Sequence, residues 1–204
     1  MKICITGKPC SGKSLVLSYI KDLGYKTWEA DKYVHQIYKY PYLGYQTILK
    51  IFGKQYVNKT EVNRKKLGQL VLNDEESLKR LNKYMNKIIK DSITKLDDNE
   101  TWFIELGTYI YYPQDFSNIF DKIIFLFRTK KNQKMATNKK FFYLKKIPTF
   151  FVDNLKINKS SILYIGPKYC QSPKINVDIF VNNLSNKKIL KKNIEKILKN
   201  LLNL

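Results

Sequence analysis

The residues best equipped for chemistry stand together near the start of the sequence: Gly7-Lys8-Pro9-Cys10-Ser11-Gly12-Lys13-Ser14. The run meets the pattern G-x-x-x-x-G-K-[ST] at every fixed position, and that pattern is a device for holding a polyphosphate. Its glycines let main-chain amides approach phosphate oxygens without a Cβ in the way. A helix opening behind the loop, through Ser14 and Leu15, would aim its N-terminal amides at the same anion. Lys13 would neutralise charge at the β and γ phosphates, and the Ser14 hydroxyl would ligate Mg²⁺. A chance match arises in roughly 1 chain of this length in 100. Here the run also follows an apolar segment and opens a helical pattern, which makes chance rarer still. The expected occupant is ATP or GTP with Mg²⁺.

Two acids extend the set. Asp31 lies just past a second strand-like segment, where a carboxylate can accept a hydrogen bond from an acceptor hydroxyl and orient it toward the γ-phosphate. It would equally suit the N-cap of a helix starting near Lys32, and the residues alone leave both open. Glu105 ends the strand-like Trp102-Phe103-Ile104 and could hold a water on Mg²⁺, meet the substrate, or be an ordinary strand-end acid. Arg64 could make a bidentate phosphate contact or lie on the surface. His35, the one histidine, falls inside a helical stretch and reads as a packing or surface residue.

The elements that must position these groups alternate along the chain. Lys2 to Thr6 reads as a short buried strand. Ser14 to Leu23 reads as a helix with Leu15, Leu17 (or Ser18), Ile20 and Leu23 on one face, stopped by Gly24. Tyr25 to Trp28 is a second strand, about 32–38 a helix, and Tyr45 to Phe52 another closed by Gly53. From Thr60 to Leu96 the pattern is helical, with Leu67, Leu70, Val71, Leu78, Leu81, Ile88 and Ile89 pointing inward and Asn73-Asp74 opening the later helix. Strands follow at Thr101 to Leu106, Lys122 to Phe127 and Val177 to Val181, then a lysine-rich helix over Asn186 to Leu202. Such alternation predicts an α/β fold with a parallel sheet covered on both sides, in one domain over 1–204. Thr129 to Lys146 reads as a basic solvated loop or lid.

Composition narrows the class. In 204 residues, 44% of them hydrophobic, there is material for one core. No apolar run reaches the roughly 20 residues needed to span a bilayer. The opening residues lack the pattern of an export signal. Cys4, Cys10 and Cys170 are few, odd in number and without metal-ligand spacing, which fits a reducing compartment. A cytoplasmic monomer without membrane or nucleic-acid partners is the expectation. The net charge of +21 fits a bias toward Lys, Asn, Ile and Tyr, residues that share AT-rich codons; a field useful for polyanionic substrates is the other reading.

With these residues in view, the sequence resembles the dephospho-coenzyme A kinase family. Ile3-Cys4-Ile5-Thr6-Gly7 through Gly12-Lys13-Ser14-Leu15-Val16 is similar to that family's first strand and phosphate loop. Leu23-Gly24-Tyr25 through Glu29-Ala30-Asp31 resembles its second-strand segment, with Asp31 on the functional aspartate. Phe52-Gly53 and Val62-Asn63-Arg64-Lys65-Lys66-Leu67 resemble the stretch before its long helix. Val177-Asp178-Ile179-Phe180-Val181-Asn182-Asn183 looks like the strand and asparagine beside the nucleotide base. The resemblance implies a P-loop kinase fold in the manner of the nucleoside-monophosphate kinases: five parallel strands flanked by helices, a helical substrate-binding region at about 32–96 and a lid at about 129–150. It implies transfer of the ATP γ-phosphate to the ribose 3′-hydroxyl of dephospho-coenzyme A. In that picture Asp31 activates or orients the hydroxyl, Lys13 and Ser14 handle ATP and Mg²⁺, Arg64 helps hold the substrate, and Asn183 lies by the base.

The sequence also departs from the family pattern. Asn86-Lys87 stands where the family has His-Pro, and its Pro-Leu-Leu-x-Glu segment is not kept around Leu106 to Tyr111. No arginine occurs between Thr129 and Asn176, where the family's lid arginines are expected. Lysine, a point charge, cannot reproduce a bidentate fork. Another small-molecule kinase, or a nucleotide-binding protein with little transferase activity, therefore stands beside the first reading.

Overall fold

The computed structural model describes residues 1–127, 162–163, 168–170, 175–183 and 186–202. The basic segment expected as a lid, and most of 148–173, lie outside the described residues. The chain divides into two compact units, one made of Met1–Trp28 with Asp97–Leu204 and the other of Glu29–Leu96.

The first unit is built on a sheet. Its strands are β1 (Lys2–Gly7), β2 (Lys26–Glu29), β3 (Trp102–Glu105), β4 (Lys122–Phe127), β5 (Ile162–Leu163) and β8 (Ile179–Asn182), in the order β2-β3-β1-β4-β8-β5. β1 runs parallel to both β3 and β4, and β4 parallel to β8, while the two-residue β5 adds an antiparallel edge. The expected parallel sheet is present, extended by that edge strand. Strands buried on both faces need unbroken apolar sequence. β1 is buried along its whole length, and β4 is buried at every position except Lys122. Helix α1 (Lys13–Asp22) and the C-terminal helix α6 (Lys187–Leu202) pack Val16, Leu17, Ile20, Leu190, Ile194, Ile197 and Leu198 with Ile3, Ile5, Phe103 and Ile124 of the sheet. Each such side chain contributes about 1.5–3 kcal/mol on burial.

Two details differ from the expected elements. On α1 the inward residues are Val16, Leu17 and Ile20, whereas Leu23 is 43% exposed. Leu23 sits at the C-cap, past the last helical turn. There Gly24, at φ +90°, donates to the Lys21 carbonyl and Tyr25 donates to that of Ile20, a Schellman-type ending that turns the chain toward β2. The expected strand Val177 to Val181 is interrupted at Asp178. Its carboxylate accepts from the Ile123 amide (2.8 Å) and from Lys122 Nζ (3.2 Å), pinning the start of β4. β7 (Ile175–Val177) instead pairs antiparallel with β6 (Lys168–Cys170) in a separate ribbon. Asp121 plays the matching part for β1, accepting from the Lys2 amide at 2.6 Å.

The second unit is helical: α2 (Ala30–Ile37), α3 (Leu43–Phe52), α4 (Arg64–Asn73) and α5 (Glu75–Thr94). Its core gathers Ile37, Tyr38, Tyr45, Ile48, Phe52, Val62, Leu67, Met85 and Ile88. Of the residues expected to face inward, Leu67, Ile88 and Ile89 are buried, and Leu70, Val71 and Leu81 pack partly against this core. Leu78 is exposed. Asp74 caps α5 as expected, accepting from the amides of Glu76 and Ser77. Asn63 caps α4, its side chain accepting from the Lys66 amide at 3.0 Å.

Candidate active site

The loop between β1 and α1 has a backbone that few residues tolerate. Gly7 stands at φ +142°, and a Cβ there would lie 2.1 Å from the Leu126 carbonyl oxygen on β4. Gly12 occupies the N-cap position of α1 in the left-handed region. Cys10 also has a positive φ, 62°. The loop is closed by the Ser11 amide donating to Lys8 O (3.2 Å), and α1 begins with the Val16 amide donating to Gly12 O (3.0 Å). The first turn of α1 itself carries no acidic residue, which leaves its positive end suited to an anion.

Side chains complete this pole. Lys13 Nζ donates to the carbonyls of Gly7 (3.0 Å) and Lys8 (3.1 Å), which draws the ammonium over the loop. Ser14 Oγ, exposed, donates to Glu105 Oε1 at 3.2 Å, so the strand-end acid of β3 and the loop hydroxyl stand side by side. Thr6 Oγ1 donates to Leu106 O at 2.8 Å and ties the end of β1 to the segment after β3. That segment forms a 3₁₀ turn, Gly107–Ile110, where the family's Pro-Leu-Leu-x-Glu pattern is missing. A Cβ on Gly107 would lie 3.7 Å from Lys13 Cε. Asn183, at the end of β8, is buried, and its Nδ2 donates to the Ser11 carbonyl at 2.8 Å. Ser11 Oγ is buried with no hydrogen-bond partner among the described residues. Cys4 is sealed in β1, where burial pushes its thiol well above the usual value against a weaker opposing pull from Lys13.

An orphaned buried hydroxyl, a helix whose own first turn carries no acid and a lysine over the loop fit a polyphosphate. Oxygen donors on Ser14 and Glu105 suit a hard divalent cation that completes its shell with phosphate and water. Among the described residues no group of His, Cys, Asp or Glu forms a self-sufficient metal cage.

Asp31 and Arg64 belong to the second unit. α2 begins at Ala30, with Glu29 at its N-cap and no side-chain capping bond. Asp31 therefore does not cap the helix, and its exposed carboxylate has no hydrogen-bond partner among the described residues. Arg64 opens α4 and, with Asn58, Glu61, Val62, Asn63 and Lys65, lines a groove of about 610 Å³. Beside it, burial pushes the Tyr38 hydroxyl up to about 12, partly countered by Arg64. His35 is exposed on α2. Asn86 is buried on α5 and Lys87 exposed, where the family pattern has His-Pro.

Sequence reasoning missed the Asn183–Ser11 bond, whose partners are 172 positions apart, and no local pattern signals it. It also missed the Thr6–Leu106 tie, for the same reason.

Comparison with known proteins decides the family. Residues 1–104 match the family model described as dephospho-CoA kinase. A dephospho-CoA kinase of Mycoplasma genitalium is 32% identical over 169 residues, covering 78% of this chain and 85% of that protein. The chain belongs to the dephospho-CoA kinase family. A second member, from Mycoplasma pneumoniae, is 32% identical over 140 residues, covering 67% of this chain and 70% of its own. Among solved structures, a Thermus thermophilus protein, TT1252, superposes with a TM-score of 0.62 at 16% identity over 98% of this chain and 97% of its own. A dephospho-CoA kinase of Campylobacter jejuni does so with 0.56 at 19% identity over 98% and 96%. Those two likenesses concern the fold. The family is one of ATP-dependent kinases, and the loop at Gly7–Ser14 lies inside the region that its model matches.

Proposed function

We propose that this chain transfers the γ-phosphoryl group of ATP to the ribose 3′-hydroxyl of dephospho-coenzyme A, the last step of coenzyme A synthesis. The observation that carries the reading is the phosphate pole of α1. Lys13 is drawn over the loop and the Ser14–Glu105 oxygen pair stands beside it, in a chain of the dephospho-CoA kinase family.

Each residue has a part. The loop Gly7–Ser14, with the first amides of α1 through Leu15, binds the triphosphate, and Lys13 neutralises charge on its outer phosphates. Ser14 and Glu105 would hold Mg²⁺, which when bound offsets charge on the phosphate oxygens. Asp31, freed from capping, accepts the proton of the acceptor hydroxyl and orients it. Arg64, with Lys65 in its groove, holds an anionic part of the acceptor. Asn183 serves the nucleotide end through the loop. Among the described residues no helix is long and apolar enough to cross a membrane, and we place the protein in the cytoplasm as a monomer acting on small molecules.

Turnover with dephospho-coenzyme A and ATP tests the assignment. Lys13→Ala is expected to lose about 10²–10³-fold in kcat, and Asp31→Ala about 10²–10⁴-fold. Full activity in Asp31→Ala would remove that carboxylate from the mechanism. One sequence feature favours a second reading, a nucleotide-binding protein with weak transferase activity: the arginine-free stretch Thr129 to Asn176. Tight ATP binding without transfer to any acceptor would support it.

A further inference from the structure

We infer that Asn183 is a positioning residue for the phosphate loop: its buried amide fixes the Ser11–Gly12 peptide so that the Gly12 amide is presented to the triphosphate. The inference rests on the reading that this loop holds a nucleoside triphosphate.

In a trans peptide the carbonyl oxygen and the following N–H point in opposite directions. Asn183 Nδ2 holds the Ser11 oxygen at 2.8 Å, so the Gly12 N–H faces away from Asn183. A phosphate loop requires its amides, not its carbonyl oxygens, to face the anion, since an inward oxygen would repel phosphate.

The backbone itself does not enforce that choice. Gly12 sits at φ +99°, a conformation glycine adopts about as readily as its negative-φ counterpart. Rotating the Ser11–Gly12 peptide would carry Gly12 into negative φ and turn the Ser11 oxygen around. Residues with a Cβ would resist one of the two states; glycine resists neither. The deciding contact therefore has to come from outside the loop.

Asn183 is well built to supply it. The residue is 1% exposed and Ser11 is 2% exposed, so the bond is shielded from competing water. Its backbone is pinned too, because the Asn183 amide donates to Phe127 O at 2.9 Å where β8 runs beside β4. Gly7 is packed against the neighbouring Leu126 carbonyl of β4. The loop is thus gripped near its start by β4 and near its end by the residue that closes β8.

The test separates this role from a contact to the nucleotide base. Binding of ATP, GTP and inorganic tripolyphosphate, each with Mg²⁺, is measured by calorimetry for the full chain and for Asn183→Ala and Asn183→Asp, with circular dichroism as a check on folding. Asn183→Asp keeps the shape but has no amide to donate, and serves where the alanine variant fails to fold. The expected result is a loss on the order of 10-fold in affinity, equal for ATP and tripolyphosphate, with the ATP-to-GTP preference unchanged. Weakened ATP with undiminished tripolyphosphate binding would make Asn183 a base contact and overturn the inference. A lowered melting temperature with unaltered affinities would overturn it as well. Failure of the unaltered chain to bind either triphosphate would instead defeat the underlying reading of the loop, and this inference with it.

Discussion

At the scale of single residues, the loop shows how chemistry and sterics select the same letters. Gly7 has two independent reasons to be glycine: φ of +142° and a β4 carbonyl 2.1 Å from any Cβ. Gly7→Ala should lower stability by more than about 2 kcal/mol, read from urea unfolding, because backbone rather than a flexible side chain must move aside. A melt matching the unaltered protein would mean that β4 yields more easily than the packing indicates. The eight letters from Gly7 to Ser14 were legible because the pattern they form is contiguous in sequence, although Leu126 and Asn183, which also constrain them, lie far along the chain. Asp31 was only half legible. Its type suits both a cap and a base, and the location of the α2 N-cap at Glu29 removed the first. Asn183 was legible as a member of a motif, while its bond to Ser11 came only with the fold, since register across the sheet brings those residues together.

Among the elements, side-chain caps mark the starts of α4 and α5, whereas α1, α2 and α3 begin without one. Asp74 opens α5 where expected, and its carboxyl is held below the ordinary carboxylate value mainly by the Ser77 side-chain hydrogen bond, with the Ser77 and Glu76 amides and Arg80 adding to this. A depressed folded-state value means that the cap contributes above the unfolded value of roughly 3.9 and loses its contribution as the pH falls through the folded one. The gap in melting temperature between the unaltered protein and Asp74→Asn should therefore be open at neutral pH and narrow below about pH 4. A gap constant through that range would rule out the ionised carboxylate as the capping group. Elsewhere the pattern misled for physical reasons. Leu23 looked like a fourth core position of α1, but the Schellman ending removes it from the helix before its turn comes round. Val177 to Val181 looked like one strand, but Asp178 takes a β4 amide and splits it. Neither tie leaves a trace in hydrophobic periodicity.

Over the whole molecule, alternation of strands and helices was enough to foresee a parallel sheet, because strands covered on both faces need continuous apolar sequence. Alternation alone did not mark Glu29–Leu96 as a compact unit with its own apolar core; a helical region at about 32–96 was an expectation of the family resemblance. The separation is a matter of which side chains meet, and periodicity within each helix is silent on that. The charge of +21 creates a field that draws any polyanion, so it favours ATP and dephospho-coenzyme A without distinguishing them from other phosphorylated compounds. Selectivity must come from particular side chains, and Arg64 and Asp31 are the ones we propose for it. The most direct measurement is to offer the protein labelled ATP with a panel of acceptors and identify the phosphorylated product. The panel comprises dephospho-coenzyme A, nucleosides and nucleoside monophosphates. The account predicts that label passes to dephospho-coenzyme A in preference to the rest and appears as a 3′-phosphomonoester. Label appearing mainly on an acceptor that lacks the pantetheine arm, or on none, would contradict it.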